Sequence, residues 1–212
     1  MSALRLPRRG VYGITPAALC NTPAELFAAV ETALDAGLAL LQYRDKKSGS
    51  AQKLQIARGL LKCCRRAQVP LIINDDAALA LAVGADGVHL GQTDVSLAAA
   101  RLLLGPEAII GITCANSLDR AVAAAAGGAS YVAFGAFNAS RTKPDAARPP
   151  LSLLTEAKAQ LVLPVCAIGG ITIDNAAPLL AAGADYLAAI DGIFGAADIA
   201  AAVRGLVALF AA

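Results

Sequence analysis

Apolar and polar positions fall in repeating blocks along this chain. An Ala-rich stretch with apolar residues at helical spacing ends in glycine. A short, almost wholly apolar run starts within a few residues. The unit reads LDAGLALLQYR, LAVGADGVHLGQ, AAGGASYVAFGA and LAAGADYLAAID. The glycine suits a left-handed helix C-cap, and the apolar run suits a strand. Four further strand candidates lie between these copies: VYGIT (11–15), VPLIIN (69–74), AIIGIT (108–113) and LPVCAIGG (163–170). Each of the eight is followed by apolar residues at helical spacing, as in 23–36, 50–66 and 151–160. Strands alternating with helices imply a parallel sheet covered by helices. Eight such units predict an α/β fold of the TIM (β/α)8 barrel type. A doubly wound open sheet is the alternative, and the first strand lacks the GxGxxG that would support it. The pattern predicts a single domain over 1–212, with 1–9 as an N-terminal extension and 135–150 as a long loop after the sixth strand.

Composition narrows the function classes. Hydrophobic residues make up 57% of the 212 and charged residues 16%, with a net charge of +2. That balance argues against disorder, and so small a charge without basic–aromatic interleaving argues against nucleic acid as a partner. The uncharged stretch 121–140 is long enough to span a membrane, but its glycines and polar residues read as helix, turn, strand. The first ten residues hold no apolar core long enough for a signal peptide. Five scattered cysteines show no metal-ligand spacing and suit reduced thiols in a cytoplasmic protein.

In a barrel the chemistry sits in the loops that follow the strands. The second strand ends in QYRDK, where alternation sends Gln42, Arg44 and Lys46 to one side and Tyr43 and Asp45 to the other. Three donors on one side make an anion clamp. The third strand ends in Asn74, Asp75 and Asp76, and the fourth in Gln92, Thr93 and Asp94. Each acidic residue is also a natural helix cap. Neighbouring strand ends lie close together, however, and two carboxylates there suit Mg²⁺, which takes one or two carboxylates, water and substrate phosphate. His89, the only histidine, reads as a packed or hydrogen-bonded core residue. Thr113, at the end of the fifth strand, suits either a ligand contact or a cap. The long loop carries Ser140, Arg141, Thr142, Lys143 and Arg148, stiffened by prolines, as a phosphate-handling lid would. Gly169 and Gly170 follow the seventh strand, and Asp191 and Gly192 the eighth, where barrels often bind phosphate on backbone N–H groups. Two anion sites on one rim result. One has Arg44, Lys46 and Lys143 with a metal on Asp75 and Asp94. The other has the backbone near Gly170 and Asp191 with Ser140 and Thr142. No nucleophile–base motif is present.

The ordered set YGITP, QYRDK, INDD, GADGVHLGQTD, SRTKP, AIGGIT and GADYLAAIDGIF resembles the thiamine-phosphate synthase family over nearly the whole chain. The resemblance implies a TIM-barrel transferase with Mg²⁺ as cofactor. Its small-molecule partners would be 4-amino-2-methyl-5-hydroxymethylpyrimidine diphosphate and a thiazole phosphate, joined to thiamine phosphate with dissociative loss of pyrophosphate. It leaves a homo-oligomer open. It implies Gln42, Arg44, Lys46, Asn74 and Lys143 on the pyrimidine diphosphate, with Arg44, Lys46 and Lys143 acting in catalysis. Tyr43, Asp45 and Arg141 join the substrate-binding set as parts of the same motifs. Asp75 and Asp94 would hold the metal, Thr113 would face the pyrimidine, and Ser140, Thr142, Gly170, Ile190 and Asp191 would surround the thiazole phosphate. The family often has Ser where Asp191 stands, and a carboxylate there opposes a phosphate. A thiazole tautomerase-like enzyme or a non-catalytic phosphate-binding barrel is the alternative. The tautomerase resemblance would need a histidine where Ala115 stands.

Overall fold

A computed structural model describes residues 4–139 and 148–211. Eight parallel strands close on themselves in chain order: β1 (Gly10–Ile14), β2 (Leu40–Tyr43), β3 (Leu71–Asn74), β4 (Gly87–Leu90), β5 (Ile109–Ala115), β6 (Tyr131–Gly135), β7 (Val165–Ile168) and β8 (Tyr186–Ala189). The β1–β8 pairing, Gly10 to Tyr186 through Gly13 to Ala189, completes the ring. The (β/α)8 barrel expected from the repeating blocks is therefore present, and the open-sheet alternative falls.

The outer layer is α1 (Pro23–Asp35), α2 (Ser50–Ala67), α3 (Ala77–Val83), α4 (Leu97–Leu104), α5 (Leu118–Ala126), α6 (Ser152–Gln160), α7 (Ile173–Ala181), the short α8 (Asp191–Phe194) and α9 (Ile199–Ala208). Over its described residues, 121–139, that uncharged stretch does divide into helix, turn and strand. No helix among the described residues is long and apolar enough to cross a membrane.

The strands are apolar on both faces because each face has its own core. Outward residues such as Leu41, Ile73, Val88 and Ile110 pack against the helices. Inward residues, among them Tyr12, Leu40, Ile72, Ile109, Tyr131, Cys166 and Tyr186, fill the barrel. Tyr12, Tyr131 and Tyr186 meet edge to face, with centroids 5.9–6.4 Å apart. Gly111 makes room for this cluster, since a Cβ there would lie 2.0 Å from the Tyr131 ring.

The opposite end of the barrel carries a repeated tie that sequence patterning missed. Asp86 and Asp185 each follow a Gly-Ala pair and precede β4 and β8. Asp86, fully buried, accepts both Arg65 Nη1 contacts (2.8 and 2.7 Å) and the Leu71 N–H at the start of β3 (2.9 Å). Asp185 accepts Lys158 Nζ (2.8 Å) and the Val165 N–H at the start of β7 (2.8 Å). In each copy one carboxylate pins a strand start to the helix before it.

Candidate active site

The C-terminal strand ends surround a cavity of about 540 Å³. Its floor is the top of the barrel core, including Tyr12, His89 and Cys166, and its walls are strand-end residues. From β2 come Gln42 and, just beyond it, Arg44. The buried Thr15 holds Arg44 in place, accepting its N–H at 2.9 Å. Asn74 enters from β3 and Thr113 from β5. A bulge between Thr113 and Ala115, where Ala115 has φ 53°, turns the end of β5. Gly170, Ile190 and Asp191 close the far side.

The loops after β7 and β8 pack without intervening side chains. A Cβ on Gly192 would lie 2.0 Å from the Ile171 carbonyl oxygen, and one on Gly170 (φ 58°) would lie 2.1 Å from that of Ala139. Glycine is required at both places. The chain leaving β6 lies on this floor, with Phe137 N–H donating to Ile168 (3.1 Å) and Asn138 N–H to Gly169 (3.0 Å). Ser140, Arg141, Thr142 and Lys143 follow directly but lie outside the described residues.

A second group stands beside the cavity. Lys46 Nζ lies 3.1 Å from Asp75 Oδ2 in a groove that shares Asn74 with the central cavity. The three donors of QYRDK are therefore split: Gln42 and Arg44 line the cavity, while Lys46 turns to Asp75. Strand alternation stops at Tyr43, where β2 ends. Tyr43 and Asp45, named as substrate-binding candidates, stay out of the central cavity and line the neighbouring groove with Lys46 and Asp75. Tyr43 is buried in the sheet–helix layer and donates to Asp45 (3.0 Å). Asp45 in turn accepts the N–H groups of Lys47 (2.9 Å) and Ser48 (3.0 Å). Both shape the loop on the groove side rather than the central cavity. Burial pushes the Asp45 carboxyl up, but hydrogen bonds from Ser48, Lys47 and Tyr43 outweigh it and hold it below its ordinary range.

Asp75 sits at φ 65° in a tight turn, with Asp76 N–H donating to the Asn74 carbonyl (2.8 Å) and Asp75 N–H to that of His89 (2.8 Å). Such a turn is strained. It points Asp75 toward Asp94 and leaves Asp76 to cap α3 through Leu79 N–H (2.8 Å). Asp94 is no cap either. Ser96 caps α4, and Asp94 accepts the Gly91 N–H at 2.6 Å. The Asp94 carboxyl is raised, first by burial and then by the neighbouring Asp75 carboxylate, against the Gly91 hydrogen bond and the Lys46 charge. Two carboxylates repelling across a strand-end gap fit a hard cation. Among the described residues, no group of three or more His, Cys, Asp or Glu forms a fuller cage.

Sequence reading undervalued the floor. His89 is buried, as expected, but lines the cavity and bonds Thr113 Oγ1 through Nε2 (2.8 Å) and the Tyr131 hydroxyl through Nδ1 (2.9 Å). The period of two in β1 and β6 was the available signal, because it puts Tyr12 and Tyr131 on the same inward face as Ile14 and Ala133.

A model of the family described as thiamine monophosphate synthase matches residues 11–193, which include all eight strands apart from the first residue of β1. The chain belongs to that family. Its members are transferases, and this chain is accordingly an enzyme of that class. It is 53% identical over 202 residues to the thiamine-phosphate synthase of Thioalkalivibrio sulfidiphilus, covering 95% of each chain. It is 55% identical over 203 residues to that of an Azoarcus species, covering 96% of this chain and 98% of the relative. Among solved structures, the thiamine phosphate pyrophosphorylase from Pyrococcus furiosus superposes with a TM-score of 0.85 at 31% identity, covering 95% of each chain. A geranylgeranylglyceryl phosphate synthase from Thermoplasma acidophilum shares the fold alone, with a TM-score of 0.69 at 18% identity.

Proposed function

We propose that this chain is a Mg²⁺-dependent thiamine-phosphate synthase. It joins 4-amino-2-methyl-5-hydroxymethylpyrimidine diphosphate to 4-methyl-5-(2-phosphoethyl)thiazole phosphate, or its carboxylate, giving thiamine phosphate and pyrophosphate. The observation that carries this reading is the pairing of Asp75 with Asp94 beside a cavity that already holds Gln42, Arg44, Asn74 and Thr113. A volume of about 540 Å³ is in the range of small-molecule sites.

The chemistry that fits is dissociative. The bond between the pyrimidine methylene carbon and the diphosphate oxygen breaks, and its electron pair leaves with pyrophosphate. The thiazole nitrogen lone pair then forms the new carbon–nitrogen bond. No protein nucleophile is needed, and the cavity offers a poor one. Burial pushes the Cys166 thiol well above its ordinary value, so it stays protonated. Arg44 would place a bidentate fork on the departing diphosphate, and Lys46 and Lys143 point charges. Asp75 and Asp94 would hold Mg²⁺, which supplies positive charge to the leaving oxygens when bound. The glycine-lined floor near Gly170 and Ile190 would take the thiazole phosphate through backbone N–H groups. Asp191 opens α8 as an exposed residue and need not direct its carboxylate at that phosphate.

The test is direct. The purified chain, both phosphorylated substrates and Mg²⁺ should give pyrophosphate and thiamine phosphate in equal amounts, and chelation of the metal should stop both. Pyrophosphate release without the coupled product, or turnover that ignores chelator, would refute the reading.

A further inference from the structure

Five side chains from five different strands form an unbroken hydrogen-bonded chain across the barrel, under the cavity. Gln42 Nε2 donates to the Tyr12 hydroxyl (2.7 Å), Tyr12 meets Tyr131 (2.8 Å), Tyr131 meets His89 Nδ1 (2.9 Å), and His89 Nε2 meets Thr113 Oγ1 (2.8 Å). The four side chains from Gln42 to His89 are buried, and Thr113 is partly buried at the cavity wall.

Such a chain has a direction. Each tyrosine owns one hydroxyl hydrogen, and a neutral imidazole owns one N–H. Once Gln42 donates its amide hydrogen to Tyr12, the Tyr12 hydrogen goes to Tyr131 and the Tyr131 hydrogen to His89 Nδ1. The imidazole proton must then sit on Nε2 and point at Thr113. The hydroxyl hydrogen of Thr113 is left over, and the amide oxygen of Gln42 takes no hydrogen bond from any described residue. Both residues line the cavity. It therefore meets an acceptor from β2 and a donor from β5. Turning the Gln42 amide over would reverse every link at once, since a single reversed link would set two donors or two acceptors against each other in a buried site.

We propose that Tyr12, Tyr131 and His89 are positioning residues that fix this polarity, and that the polarity selects a ring carrying an amino group beside a ring nitrogen. Such a ring offers an N–H to Gln42 and a lone pair to Thr113. The assignment of the ring rests on the function proposed above; the polarity of the chain does not.

The tautomer is directly observable, because His89 is the only histidine in the 212 residues. The untagged, ¹⁵N-histidine-labelled protein should show a single neutral imidazole protonated on Nε2, with no ligand present. An Nδ1-protonated ring would overturn the proposal. Tyr131→Phe removes the donor to Nδ1 and should shift the ring toward a tautomer mixture; a spectrum identical to wild type would also overturn it.

Calorimetry then reads selectivity, using the aminopyrimidine diphosphate, its analogue with hydrogen in place of the amine, and inorganic pyrophosphate. Wild type should prefer the amino compound by at least about tenfold, and Tyr131→Phe should lose most of that ratio while binding pyrophosphate unchanged. An equal ratio in both proteins would refute the selective role. Should Tyr131→Phe fail to fold, the wild-type spectrum alone still decides the polarity. Wild-type protein that binds neither heterocycle would refute the proposed function and the ring assignment, and leave the tautomer result standing.

Discussion

Two carboxylates on the same rim respond to pH in opposite directions. Asp45 is held below its ordinary range by donors from Ser48, Lys47 and Tyr43. Its contribution to stability is therefore present above the unfolded carboxylate pKa and lost as pH falls through the folded one. Asp45→Asn should lower the melting temperature at pH 7, and the difference from wild type should shrink as the pH falls below the ordinary carboxylate range. Thermal melts across that range check it. Asp94 is raised by burial and by Asp75, so the sign inverts. Its contribution is present in acid and lost as pH rises through the folded pKa, which makes its charge unfavourable at neutral pH when no cation is bound. Asp94→Asn should melt higher than wild type at pH 7 in chelator. Added Mg²⁺ should stabilise the wild type by mass action and the variant much less. A variant that gains as much from Mg²⁺ as wild type would rule out Asp94 as a ligand of the proposed metal. Asp75, Asp76 and Asp94 read alike in sequence, and only backbone geometry separates them. A positive φ turns Asp75 toward Asp94, while Asp76 spends its carboxylate on Leu79 N–H.

At the scale of elements, the recurring glycine-terminated helix and short strand was visible in the sequence, but the reason for the Asp inside it was not. Asp86 and Asp185 occupy matching places before β4 and β8, yet their surroundings differ. The Asp86 side chain is fully buried against an Arg65 that is 19% exposed, whereas Asp185 and Lys158 keep 22% and 35% exposure. Removing Asp86 strands the largely buried Arg65 charge and orphans the Leu71 N–H, at a cost of about 3–5 kcal/mol. Lys158 can turn to water, so losing Asp185 should cost about 1–2 kcal/mol, chiefly from the orphaned Val165 N–H. Urea unfolding of Asp86→Ala and Asp185→Ala should show that order, and equal losses would mean the two ties are equivalent. The ties stand at the end of the barrel away from the cavity, so both variants should keep the KM of the wild type if they fold.

For the whole molecule, closure of β1 onto β8 makes the inner and outer cores shells of one barrel. The chain has no Trp, and its four tyrosines are all buried, Tyr43 in the outer layer and Tyr12, Tyr131 and Tyr186 in the inner one. Near-ultraviolet circular dichroism thus reports both layers. Its denaturant transition should coincide with that of the helices in the far ultraviolet, and separate midpoints would show that the layers unfold apart. Periodicity alone determined the eight units and their order, because burial on both faces of a strand and one face of a helix is written locally in residue type. The motifs likewise marked Gln42, Arg44, Asn74, Thr113 and Gly170, which the fold gathers around one cavity. Tertiary structure decided the rest. Lys46 leaves Gln42 and Arg44 for Asp75 because β2 ends at Tyr43, and Tyr43 and Asp45 support the loop beside it and line the same groove. His89, Tyr12 and Tyr131 lie far apart in sequence and become neighbours only when the sheet closes, so no local pattern could link them.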